Sequence, residues 1–199
     1  MPEKVRLFID FWNLQLAWNE HAGGARLNWP KLPQVLLAQA QVLSGLDTFQ
    51  YDGTSVYASV DVTKAADRNL RNWLDNFLDR QAGITVFVRE RRPRTRTIHC
   101  QECNQEFSAC PHCGKPLRKA AEKGVDAAIV TDMMSLAWEG ACTIPILISS
   151  DADFIPTVER LQAKGMKVVN AAWRKEGHDL AKTCWVSIIL DDLVEELTR

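Results

Sequence analysis

The sequence predicts an α/β layered sheet with right-handed crossovers, and three observations carry that prediction. Short runs rich in β-branched and apolar residues alternate along the chain with longer runs at helical spacing. Two strand candidates, Val5-Arg-Leu-Phe-Ile-Asp10 and the stretch from Ile146 to Asp151, are apolar runs that end in an acid. The 199 residues, 46% of them apolar, suffice for one domain with a sizeable core.

Taken in order, Val5–Asp10 reads as a buried strand and Phe11–Trp18 as a helix. Gly23-Gly24 marks a turn, and a helix from Trp29 or Pro30 to about Leu43 tolerates its proline in the first turn. Thr54–Val60 alternates and is β-branched, hence a strand. Lys64–Gln81 is helical, with Leu70, Trp73, Leu74, Phe77 and Leu78 as an apolar stripe assigned to the core. Gly83 ends that helix and Ile84–Val88 begins another strand. Ala127–Trp138 is helical by composition, with Asp126 in its first turn and in register with Ile129, Val130, Met133 and Ala137. Asp132 falls about 120° off that stripe. Pro145 precedes the strand from Ile146, and helical spacing resumes at Phe154, Val158 and Leu161.

If the first and the Ile146 strands are central and parallel, Asp10, Asp151 and Asp153 lie at the carboxyl edge of the sheet, where loops ring a crevice beside helix amino termini. Carboxylates that close repel unless a cation lies between them, and a divalent ion meets that need. Each acid also has a plainer reading, as a helix cap or a first-turn residue favoured by the helix dipole; Asn13 has the same cap reading.

From about Arg89 to Lys119 the chain carries an insertion. Cys100-Gln-Glu-Cys103 and Cys110-Pro-His-Cys113 are paired thiolate knuckles, a spacing that completes a tetrahedral four-sulfur site for a structural Zn²⁺. His99 and His112 flank the ligands, while Cys142 and Cys184 stand alone among apolar neighbours as packing residues. Arg89, Arg91, Arg92, Arg94 and Arg96 precede the knuckles, and Lys115, Arg118, Lys119 and Lys123 follow them. In a chain of net charge −1, that concentration of cation favours binding to a phosphate backbone over a merely solvated face. No run is long enough to span a membrane, and Met-Pro-Glu-Lys at the amino terminus lacks the segments of a signal peptide, so a cytoplasmic location is expected.

Phe8-Ile-Asp-Phe-Trp-Asn-Leu14, Lys123-Gly-Val-Asp-Ala-Ala-Ile-Val-Thr-Asp132 and Ile148-Ser-Ser-Asp-Ala-Asp-Phe154 resemble the three motifs of the NYN domain, the LabA-like branch of the PIN-like nucleases. The resemblance runs over nearly the whole chain, 1–199, with the zinc ribbon, 89–119, inserted in it. It implies a three-layer α/β/α Rossmann-like (PIN-like) sandwich with a mostly parallel sheet, and a Mg²⁺ or Mn²⁺ site that hydrolyses phosphodiester bonds, usually of RNA. Carried over, Asp10, Asp126, Asp151 and Asp153 hold the metal, with Asn13, Asp132, Ser149 and Lys123 in support. The chain departs from the usual Ile-Asp-Gly-x-Asn pattern in having Phe11 and Trp12 where a small residue often stands. The expectation is therefore a metal-dependent ribonuclease, with single-stranded RNA gripped by Arg89, Arg91, Arg92, Arg94, Arg96, Arg118 and Lys119. The alternative is a non-catalytic module that binds nucleic acid, or a protein through the ribbon; a homodimer stays open in either case.

Overall fold

The structure, a computed structural model, describes residues 3–46, 48–91, 93–120 and 124–199, with Lys119 and Ala120 described through their backbone. Lys123 and Arg92, both named above, lie outside the described residues. In chain order β1 (Glu3–Asp10), α1 (Phe11–His21), α2 (Leu32–Ser44), β2 (Phe49–Val60), α3 (Ala65–Trp73), a π-helical turn (Leu74–Leu78) and β3 (Ile84–Glu90) form the first half. The insertion follows, with β4 (Pro93–Thr95), β5 (Ile98–His99), β6 (Glu106–Phe107) and β7 (Arg118–Ala120). Then come α4 (Val125–Trp138), β8 (Ile144–Ile148), a 3₁₀ turn (Ala152–Phe154), α5 (Ile155–Gln162), β9 (Val169–Ala172), α6 (His178–Thr183), β10 (Val186–Ile189) and α7 (Val194–Leu197).

Continuous apolar strands need cover on both faces, and the strand periodicity of two divides that cover here. Val5, Leu7 and Ile9 of β1 enter one core with α1, α2 and the π-helical turn; Phe8 between them enters the other with α4, α5 and α6. All four are wholly buried, each contributing on the order of 1.5–3 kcal/mol. The result is the three-layer α/β/α sandwich. Its sheet is six-stranded in the order β10-β9-β8-β1-β2-β3, and every pairing in it is parallel.

That order decides where a ligand can enter. From β1 the chain builds outward through β2 to β3, then returns to the other side of β1 as β8 and builds outward again to β10. Helices leaving β1 and β8 therefore diverge to opposite faces and leave a crevice between the strands' carboxyl ends.

The Lys64–Gln81 stripe divides. Leu74 and Leu78 are wholly buried, but Leu70, Trp73 and Phe77 are half-buried and line an open cavity instead of closing the core. The π-helical turn keeps Trp73 and Phe77 stacked, with ring centroids 5.6 Å apart. The Leu180 helix and the last two strands, β9 and β10, complete the sheet beyond the elements read from the sequence.

In the insertion, β4 and β7 pair antiparallel as a stalk, and the two knuckles have the same backbone geometry. Asn104 N–H donates to Cys100 O and Gly114 N–H to Cys110 O, both at 2.9 Å; Cys100 N–H reaches Gln105 O and Cys110 N–H reaches Lys115 O. Asn104 and Gly114 occupy equivalent left-handed positions, φ 57° and 66°.

Candidate active site

Asp10 ends β1 and caps α1, its Oδ1 accepting from Asn13 N–H at 3.2 Å. Asn13 in turn reaches across the crevice, and its Oδ1 accepts from Ser150 N–H at 2.8 Å. The side chain after the β1 strand is thus bonded to the loop after the β8 strand. On that loop Ser149 is buried and its Oγ accepts from Asp151 N–H, while Asp151 Oδ1 accepts from Asp153 N–H at 2.9 Å. Buried Asn170 on β9 braces the same loop through Nδ2, which donates to Leu147 O and Ser149 O.

Asp10, Asp126 and Asp151, from three separate elements, line one cavity of about 450 Å³. Asn13 stands in its wall, and Trp12 forms one side. Two further acids line it, Glu20 on α1 and Glu176 before α6. Neither sits in a sequence motif; only the fold brings them in. His21 Nε2 is 3.2 Å from Glu176 Oε1, and its ring stacks on Trp173.

Two acids of the expected set stand elsewhere. Asp153 is exposed and is not part of the lining; its N–H donates to Asp151 Oδ1. Asp132 lies on a different cavity, with Arg89, and its Oδ2 accepts from the hydroxyl of buried Tyr57 at 2.6 Å. Burial, then that bond, pushes the Tyr57 phenol well above its ordinary value.

The arginine run is similarly distributed. Arg91 Nη2 is 2.7 Å from Asp67 Oδ2, and its guanidinium lies over the Trp12 ring at 5.3 Å from the centroid. Trp12 Nε1 donates to Ser59 O at 2.6 Å, so this ring is held from two sides. Arg94, Arg96 and Arg118 are exposed on the stalk and beside it. The insertion leaves from β3, two strands from β1, and Phe87 rather than Glu90 is level with Asp10, so the insertion's base stands roughly 14 Å from the Asp10 strand end.

The carboxylates supply hard oxygen donors of the kind Mg²⁺ and Mn²⁺ take. Among the described residues, no three His, Cys, Asp or Glu side chains form a group that could hold a metal ion as they stand. In the ribbon, the N–H groups of Cys103 and Glu102 hold the Cys100 thiol below its ordinary pKa, and those of Cys113 and His112 do the same for Cys110. Backbone donors aimed at sulfur favour thiolate, the form that binds zinc. Among the described residues, no helix is long and apolar enough to cross a membrane.

No curated protein matches the chain. A crystal structure of a Vibrio parahaemolyticus protein of unknown function is similar, at 18% identity and a TM-score of 0.59, over 96% of this chain and 94% of that one; that likeness is one of fold. The family model of the NYN domain matches residues 4–191. The chain therefore belongs to the NYN domain family, within the PIN-like nuclease superfamily.

Proposed function

We propose that this protein is a ribonuclease that hydrolyses phosphodiester bonds in the basin between β1 and β8 with a bound Mg²⁺ or Mn²⁺. The observation that carries the reading is the convergence of Asp10, Asp126 and Asp151 on one cavity at the topological switch point of a parallel sheet. The ion, when bound, supplies Lewis-acid stabilisation of the developing oxyanion and an activated water. Asp10, Asp126 and Asp151 would hold it, Asp10 and Asp151 in orientations fixed by the Asn13 and Asp153 amides. Asp153 and Asp132 take supporting parts, the first through its N–H and the second through Tyr57. Glu176, held by His21, adds a further carboxylate to the basin wall. Trp12 forms one wall of the basin.

The ribbon, with zinc held by Cys100, Cys103, Cys110 and Cys113, would carry Arg94, Arg96 and Arg118 against the substrate backbone. A single-stranded RNA bends into a crevice more readily than a duplex, which favours it as substrate. The test is cleavage of a labelled single-stranded RNA with Mn²⁺, beside Asp151→Asn. That variant should lose at least about 100-fold in rate, on the scale of removing one group that stabilises transition-state charge, and should fold normally, since clustered negative charge is relieved. Full activity in Asp151→Asn would show that the cleavage does not arise in this basin and overturns the enzymatic reading of it; RNA binding without cleavage by wild type favours a binding module.

A further inference from the structure

A second cavity, of about 510 Å³, opens beside the acidic basin on the α1 and α3 side of the sheet, and nothing in the proposed chemistry uses it. Its volume lies in the range of small-molecule sites, about 300–1,000 Å³. Trp12 lines both cavities and is the wall between them. The inner surface is aromatic: Phe11 and Trp29 stack at 5.5 Å, Trp73 and Phe77 stack at 5.6 Å, and Trp29 meets Trp73 edge-on at 6.0 Å.

The part of that surface left open, on Trp73 and Phe77, is exposed apolar area of the kind that marks interaction sites. Phe11 and Trp29 belong to the buried core, whereas Trp73 and Phe77 pack against it and keep part of their surface open to the cavity. The π-helical turn that sets Trp73 against Phe77 is a distortion frequent at functional sites.

The rim is polar and cationic. Gln15 Nε2 donates to Asn19 Oδ1 at 2.9 Å, which leaves the Gln15 carbonyl as acceptor and the Asn19 amide as donor side by side. Arg26 and Arg199 also line the cavity and are exposed, and among the described residues neither makes an ion pair. Flat aromatic walls, an adjacent acceptor and donor, and two cations at the mouth are the complement of one nucleobase with its phosphates.

We propose that this cavity binds a base of the single strand whose backbone passes over Trp12 into the acidic basin, with Trp73 and Phe77 as the stacking surface and Arg26 on the flanking phosphate. The inference rests on reading the basin as the place where a phosphodiester is cut. It adds that one nucleotide beside the cut is drawn out of the strand and held by its face. A stacking surface is sequence-tolerant because every base has a π-face, and purines, the larger, should be favoured.

The test measures binding with no Mg²⁺ or Mn²⁺ added and no chelator present, so that cleavage does not enter and the ribbon keeps its zinc. The probes are a labelled oligoadenylate of about ten nucleotides and an abasic oligomer of the same length and charge. Wild-type protein should bind the adenylate about tenfold more tightly. Trp73→Leu should reduce that ratio to near one while leaving the abasic affinity unchanged, and Arg26→Glu, an exposed change, should weaken both probes together. Equal wild-type affinities, or a folded Trp73→Leu that keeps the full ratio, overturn the proposal. If Trp73→Leu does not fold, quenching of the wild-type tryptophan emission by adenosine monophosphate decides: quenching absent with ribose 5-phosphate supports the cavity, and no quenching by either overturns it. The Mn²⁺ cleavage assay stands apart. Base discrimination without cleavage removes the nuclease and keeps the base site, and cleavage without discrimination does the reverse.

Discussion

At Gly177 the backbone takes φ 68°, and a Cβ there would lie 2.7 Å from Ser150 Cα. Both facts matter to the site, because Ser150 N–H is what Asn13 grips to tie the two strand ends together. Gly177→Ala should lower unfolding free energy by about 2–4 kcal/mol, combining left-handed strain with a main-chain clash, and should slow cleavage by shifting the β8 loop. Gly24→Ala is the control: φ is 85° but nothing lies within 4 Å, so only the strain of about 1–2 kcal/mol remains. Urea unfolding of the two variants side by side checks this, and equal losses would show that the clash with Ser150 carries no energy. At Asn13 the expected effect is smaller. Asn13→Ala removes one acceptor from a half-buried amide, about 1 kcal/mol, yet frees the loop that presents Asp151. Cleavage should therefore fall much further than stability.

The β1 and β8 strands with their acids are legible in the sequence because a buried parallel strand writes itself as an unbroken apolar run, and the helix start after each is marked by its own N-cap. Glu20 and Glu176 are not, since each sits on a surface that carries no period; only the sheet order makes them neighbours of Asp10. The tail of the sheet is illegible for another reason. Strands β9 and β10 have four residues each and α6 has six, too short for a period, and β9 buries the polar Asn170. The arginine run reads uniformly as charge but does several jobs in space. Arg91→Ala should destabilise the fold by about 1–3 kcal/mol, because it leaves the Asp67 carboxylate with the Asp61 N–H but without its cation, and uncovers Trp12. Replacing Arg94, Arg96 and Arg118 by Ala should leave the melting temperature unchanged, weaken RNA about tenfold or more, and lower the salt slope by about 0.7 for each phosphate that is no longer neutralised. An unchanged salt slope would make the stalk a protein-docking element. For the knuckles, metal analysis should find one zinc per chain, and Cys103→Ser should lose it while the main sheet keeps its melting transition.

Across the whole molecule the sheet separates two cores, and among the described residues only the one under α4, α5 and α6 contains groups that lose a proton in alkali: Tyr57, Cys142 and, at its margin, Cys184. Burial pushes both thiols up to about 12 from an ordinary 9.0, and it pushes the Tyr57 phenol up as well. The sign of the resulting pH dependence follows from which state releases protons first. Above pH 9.0 the unfolded chain ionises these thiols while the folded chain cannot, so the stability they contribute is fully present below pH 9.0 and is lost as pH rises towards 12. Tyr57 adds the same trend from 10.0 upward. For Cys142, which is 1% exposed, the loss amounts to about 1.4 kcal/mol per pH unit, or about 2 kcal/mol at pH 10.5. Urea unfolding at intervals from pH 7 to 10.5 should thus be flat at first and then decline. Cys142→Ala should start about 1 kcal/mol lower at pH 7, from the small cavity it leaves, yet decline with a visibly shallower slope, so that the two curves converge near pH 10. Cys100 and Cys110 in the ribbon are shifted the other way, and being the same in both proteins they cancel from the comparison. Parallel curves for wild type and Cys142→Ala would place the alkaline loss outside this thiol, and Tyr57→Phe would then be the variant to show it.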